Sequence, residues 1–219
     1  MVDSEQHGVG GSWDSASGGR VGDVDSHCDG GGVRHGCTRR RVLSAAATSG
    51  VLSMAGCLSG PTPDPVTLGS DDVCDVCGMI IPQHPGPTTE VFYRNNDPSG
   101  HDNPARFDST WEAFQYDFER RDRGWTRAAF YVTDYSSVDY EIRTDAGTTF
   151  ISTHPEAAAF ADASAVTFVV GSSVEGAMGR DLIAFSSDDD ATAFADEYGG
   201  STAQFADVTR SMIGSLAQT

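Results

Sequence analysis

Ala105-Arg106-Phe107-Asp108-Ser109-Thr110-Trp111-Glu112-Ala113-Phe114 reads as a short strand running into a capped helix. Asp108 or Ser109 can accept hydrogen bonds from the free N–H groups of a helix start. Behind them, Trp111, Phe114, Tyr116 and Phe118 form an apolar face with charges between. The pattern predicts a helix over 110–122. A second stretch repeats the arrangement. The strand 181–185 ends at Phe185, Ser187 caps, and Asp188, Asp189 and Asp190 fill the first turn, where a helix favours negative charge. Ala193-Phe194 then matches Ala113-Phe114, and Gly199-Gly200 ends the helix. The expected fold is α+β: one mature domain of two similar strand-strand-helix halves.

Other elements follow from local pattern. Strands are expected at 79–81 (stopped by Pro82), 89–93, 128–133, 138–142 and 166–170, the last ending at Gly171. Thr153 is expected to cap a short helix with Pro155 at its start. A last helix is expected over 206–216.

Outward toward the N-terminus the character changes. Residues 1–37 are Gly-, Ser- and Asp-rich with almost no large apolar side chains, and are expected to be disordered. Arg39-Arg40-Arg41 then precedes an uncharged run of small and apolar residues ending Leu52-Ser53-Met54-Ala55-Gly56-Cys57. A basic head, a run too short to span a bilayer and a small-residue end predict an export signal over 38–56. The arginines resemble a twin-arginine signal, and the end resembles a lipobox, which makes Cys57 the lipid-carrying residue. Residues 57–72, with Pro61, Pro63 and Pro65, read as a flexible lipidated tether, and 73–216 as the binding domain.

The 219 residues carry 32 acidic and 14 basic side chains, and every basic one is Arg. Of these, 26 acidic and 9 Arg residues fall in 57–219, so the acidity belongs to the domain and not to the signal. Such a surface is ill suited to nucleic acid. It suits a protein kept soluble at high salt, as in a halophilic source.

Cys74-Asp75-Val76-Cys77-Gly78-Met79 concentrates soft sulfur in the domain. A single C-x-x-C serves zinc, redox exchange, copper or a structural disulfide. Structural zinc wants four ligands, and no second cysteine pair exists in 57–219; His84, His101 or His154 are the candidates to complete a zinc site. Ligand softness favours copper(I) at Cys74, Cys77 and Met79. Met178, flanked by glycines in Gly176-Ala177-Met178-Gly179, is a core residue on spacing alone. A thiol-disulfide oxidoreductase and a lipid-anchored interaction module with a structural disulfide are the competing readings. No set of catalytic residues is recognisable, and no enzyme is expected.

Taken together, Cys74-x-x-Cys77-Gly78-Met79, Phe130-Tyr131-Val132-Thr133-Asp134 and Gly176-Ala177-Met178-Gly179-Arg180-Asp181-Leu182-Ile183-Ala184-Phe185 resemble the NosL family over roughly residues 72–216. These are lipoprotein copper(I) chaperones associated with maturation of nitrous oxide reductase, a denitrification enzyme. The resemblance implies an α+β unit of two related halves. It also implies copper(I) on the sulfurs of Cys74, Cys77 and Met79, with Met178 as a further ligand. The implied partner is nitrous oxide reductase or its assembly proteins, met at the extracytoplasmic face of the cell membrane. Two prolines usual in the family are Ala177 and Ala184 here. Where many bacterial members carry another Cys, this chain has Phe107-Asp108-Ser109, and Asp108 is a hard donor expected to take no part in copper(I) binding.

Overall fold

The computed structural model describes residues 60–217. The extension 1–37, the signal 38–56 and Cys57 lie outside the described residues. Among the described residues nine strands form two sheets, joined by three α-helices, an α+β architecture.

The first half is β1 (Thr89–Tyr93), β2 (Ala105–Phe107), α1 (Thr110–Asp122) and β3 (Arg127–Thr133). Strand β1 pairs antiparallel with both β2 and β3. After β4 (Ile142–Asp145), β5 (Thr148–Ile151) and β6 (Phe160–Asp162), the second half repeats this order. It consists of β7 (Thr167–Gly176), β8 (Gly179–Phe185), α2 (Asp188–Tyr198) and β9 (Ser201–Gln204), with β7 pairing antiparallel to β8 and β9. The registers correspond: Thr89 faces Phe107 as Thr167 faces Phe185. The echo in the sequence is therefore a repeated β–β–α–β unit. Strand β6 extends the first sheet beside β3, and the β4–β5 hairpin joins the second beside the far end of β7. Helix α3 (Arg210–Leu216) closes the chain against α1.

Strand alternation explains the layering. Side chains two apart share a face of a strand. Phe168 and Val170, with Leu182 and Ala184, turn toward a core containing Phe107, Phe114, Tyr116 and Phe130 of the first half. Val169, Ile183 and Phe185 turn the other way, onto Ala191 and Phe194 of α2. The second sheet is thus buried on both faces and supplies the surface on which α1 rests.

Five expectations need correction. Ile80 makes only an isolated bridge to Val73, and Ile81–Gln83 is a 3-10 turn entered by Pro82, not the end of a strand. The alternating residues Val138 and Tyr140 pack against the α2-side core without joining a ladder, and the strand begins at Ile142. The helix expected from Thr153 is a 3-10 turn at Ala157–Ala159, after Glu156, with no side-chain cap. The last helix is shorter than 206–216 because Thr209 caps it, accepting from the Met212 N–H. Strand β7 also runs through Gly171, whose φ of 70° marks an irregularity in the β7–β8 register rather than an end.

The Pro-rich stretch before Cys74 is extended, but its described part does not hang free. Leu68 is buried in the main core, the Tyr131 hydroxyl donates to the Pro63 carbonyl at 2.8 Å, and the Leu68 N–H donates to the Pro155 carbonyl at 2.9 Å. A single buried leucine and a few backbone bonds are enough to lay an extended segment along a sheet.

Candidate metal centre

The segment carrying the two cysteines is a closed loop. The Cys74 N–H donates to the Met79 carbonyl at 2.8 Å, and the Gly78 N–H donates back to the Cys74 carbonyl at 3.0 Å. Gly78 has φ 75°, a conformation that costs glycine nothing and strains other residues. The loop is fixed to β2 through Asp75. Its N–H donates to the Arg106 carbonyl at 2.9 Å, and its carboxylate accepts from the Arg106 N–H at 2.8 Å and meets His101 Nε2 at 2.9 Å. These contacts set the two thiols over the start of α1.

Ser109, not Asp108, is the cap: its hydroxyl accepts from the Glu112 N–H at 3.2 Å. A Ser followed three residues later by Glu is the pattern of a capping box, in which the Glu side chain turns back to the cap's own N–H. Here the Glu112 carboxylate accepts from the Cys74 thiol at 2.9 Å instead. The Cys77 thiol lies 3.5 Å from both oxygens of Asp108. Ligand atoms of Cys74, Cys77, Asp108 and Glu112 all lie within 4.8 Å of one another, and all but Cys77 are buried.

Burial dominates the electrostatics. It pushes the Cys74 thiol far above the ordinary thiol range, and the hydrogen bond to Glu112 pushes the same way. The Cys77 thiol is raised to about 11, first by burial and further by the charges of Asp108 and Glu112, against the pull of the Met79 backbone N–H and the Cys74 thiol. Burial also raises the Glu112 carboxyl, helped by the charge of Asp108 and opposed by the Cys74 hydrogen bond. Both cysteines are free thiols. Burial and the two neighbouring carboxylates favour the protonated thiols.

The start of α1 is also anchored to the second half. Asp181 of β8 is fully buried; it accepts from the Ser109 hydroxyl at 2.7 Å and from the Trp111 N–H at 2.8 Å. Three residues away, at the tip of the β7–β8 hairpin, Met178 is 40% exposed in a shallow depression with Trp111, Glu175, Arg180 and Leu216. Gly176 lets that hairpin pack closely on the chain at Gly86: a Cβ there would stand 2.6 Å from the Gly86 carbonyl and 2.9 Å from the Asp181 carboxylate.

The thiols of Cys74 and Cys77 are thus brought together, with Met79 half-buried on the same loop and Met178 on a separate turn. None of the three histidines weighed for zinc joins the four-donor cluster. His84 lines a cleft with Glu141 and Arg143, His101 bonds Asp75, and His154 meets the Ser152 hydroxyl at 3.0 Å. The sequence reading missed Glu112, and set Asp108 aside. The signal available was their spacing of four residues around a helix start, which puts two carboxylates on one side of it.

Residues 65–213 match the NosL family. The chain belongs to the NosL family. Among NosL proteins, the copper-binding lipoprotein NosL of Stutzerimonas stutzeri is 29% identical over 154 residues, 70% of each chain. The crystal structure of the copper chaperone NosL from Shewanella denitrificans superposes with a TM-score of 0.54 at 28% identity, covering 69% of this chain and 99% of that one. The family to which the chain belongs is one of non-enzymatic chaperones.

Proposed function

We propose that this protein is an extracytoplasmic copper(I) carrier that binds the ion through Cys74, Cys77 and Met79, completes its coordination with Met178, and passes it to a copper enzyme. The observation that carries the reading is the free thiol pair, held 2.9 Å and 3.5 Å from carboxylates in a pocket that is open on the Cys77 side. Thiolate and thioether donors select a soft monovalent ion. Partial exposure of Cys77 gives an incoming ligand a place to begin exchange.

Both raised thiols argue against the oxidoreductase alternative. A redox cysteine is activated by a lowered pKa in electropositive surroundings; here burial and two carboxylates do the opposite. The names of the two relatives support copper as cargo and a lipoprotein anchor. We take the anchor to be a lipid on Cys57 after export on the Arg39-Arg40-Arg41 signal, and the recipient to be nitrous oxide reductase or its assembly proteins.

The test is a competition titration of the reduced protein against a chromogenic copper(I) chelator. Cys74→Ser with Cys77→Ser should weaken copper(I) binding by about a hundredfold or more. Met178→Ala should weaken it by roughly tenfold and leave the fold unchanged. Copper(I) uptake that survives loss of both thiols would refute the reading.

A further inference from the structure

Helix α1 begins under the thiol loop and ends among arginines. Its 13 residues span about 20 Å, so its two ends mark opposite poles of the first half. Arg120 and Arg121 lie in its last turn, Arg123 caps it and Arg127 begins β3. Four of the nine arginines in 57–219 thus fall within 120–127 of an otherwise acidic domain. Strand β1 runs beside the helix in the same direction. Thr89 meets Thr110 at the helix start, and Tyr93 stacks on Trp125 beyond the helix end. The next residue, Arg94, donates its N–H to the Thr126 carbonyl at 2.9 Å, which adds a fifth arginine to this pole. The neighbouring carboxylates already have partners. Asp117 bonds Arg127 at 2.6 Å, Asp122 bonds Arg210 at 2.8 Å, Asp97 accepts from the Asn103 amide at 2.6 Å, and Glu119 stands 3.8 Å from Arg123. Among the described residues Arg94 forms no ion pair, and the Arg121 and Arg123 side chains are 53% and 64% exposed.

A second observation points to the same pole. The extended stretch before Cys74 is pinned at Val66, whose N–H donates to Glu90 at 3.1 Å, then at Pro63 on Tyr131, then at Gly60, whose carbonyl accepts from Arg94 at 3.1 Å. Those contacts lead back along the sheet to the arginines. Cys57 stands three residues before Gly60, and three extended residues reach about 11 Å at most.

We propose that the arginine pole at the end of α1, carrying Arg94, Arg121 and Arg123, docks on an anionic phospholipid surface and holds the thiol pocket away from the bilayer. The proposal rests on the reading of Cys57 as the lipid-bearing residue. A leash of that length keeps the Gly60 side of the domain at the headgroups. Charge then selects the orientation: a domain with 26 acidic and 9 basic side chains is repelled by an anionic leaflet, least so with this pole turned toward it. Guanidinium grips phosphate through paired N–H groups at contact distance, where salt screens least. Trp125, half-buried beneath Arg120, is a side chain suited to the depth of the headgroups. The thiols, at the other end of α1, then face a partner arriving from the solvent side.

The experiment uses the full chain with Cys28, Cys37, Cys74 and Cys77 changed to Ser, coupled through the Cys57 thiol to a maleimide-bearing lipid. The vesicles are phosphatidylcholine alone, or phosphatidylcholine with about one quarter phosphatidylglycerol. Hydrogen–deuterium exchange of the Arg94 amide and of 123–126 should slow about threefold or more on the anionic vesicles. Exchange in 74–79 should not change. Arg94→Gln, Arg121→Gln and Arg123→Gln combined should erase the slowing. Unchanged exchange in the parent chain, which needs none of the arginine variants, overturns the proposal. So does slowing that survives the triple variant, slowing in 74–79, or equal slowing on phosphatidylcholine alone. Mass spectrometry of the chain extracted from its own membrane tests the anchor separately. Cys57 without lipid there would remove the anchor and this proposal with it, whereas lipidated Cys57 with unprotected arginines would overturn the docking pole alone.

Discussion

The two β–β–α–β halves pair their first two strands in the same register, yet among the described residues only the first gathers a cluster of metal-ligating side chains. Ser109 caps α1 as Ser187 caps α2, and Glu112 stands where Asp190 stands, each bonded through its N–H to the capping hydroxyl. Around α2 the acidic residues Asp188, Asp189 and Asp190 face water. Around α1 the corresponding position is covered by the loop 74–79, and its carboxylate meets a thiol. The repeat supplies a helix start with an acidic residue in both places. The thiols come from a six-residue loop outside the repeat, laid over one copy of it.

The contrast can be broken most forcefully in the cores. Phe114 lies in the core shared by both sheets, and Phe194 in the smaller core under α2. Phe114→Ala is expected to cost about 3–5 kcal/mol and Phe194→Ala about 3 kcal/mol in urea unfolding. Only the first should also loosen metal binding. Equal metal affinity in the two variants would show that the shared core does not support the pocket.

A finer probe is the pair of caps. Ser187→Ala removes one helix cap, worth about 1 kcal/mol. Ser109→Ala removes a cap and also takes a donor from the buried Asp181, so its cost should reach about 2–3 kcal/mol in the same measurement. Equal costs would mean that Asp181 gains nothing from the hydroxyl.

The smallest effect is in pH. Glu90 occupies the register position that Phe168 holds in the second half, facing Arg106 as Phe168 faces Ala184. Burial lifts its carboxyl from 4.5 to about 7, against the Val66 N–H and the charge of Arg106. The folded state therefore binds this proton more tightly than the unfolded chain. The stability it contributes is complete below about 4.5 and is lost as pH rises toward 7. Glu90→Gln should flatten that decline by on the order of 1–2 kcal/mol between pH 5 and pH 8, read from thermal melts at each pH. An unchanged slope would assign the decline to other groups.

Helix α1 was legible in the sequence over Thr110–Asp122, since a cap and an apolar face agree. The repeat was legible for the same reason, twice over. What misled was alternation without pairing: Val138 and Tyr140 alternate because one face packs on Tyr135 and its neighbours, and packing alone produces that pattern. The thiol pair announced itself by spacing. Glu112 did not, because a glutamate three residues after a capping serine reads as part of the cap, and only the loop lying above it gives it another partner. Asp108 was visible but dismissed on ligand softness, an argument about copper that said nothing of its position.

Asp181 belongs to the hairpin that ends in Met178, yet two of the groups it holds belong to the helix start beside Cys74 and Cys77. One carboxylate therefore gauges the gap between the two methionine- and cysteine-bearing turns. A neutral apolar residue at 181 would remove both bonds and free the two turns from each other.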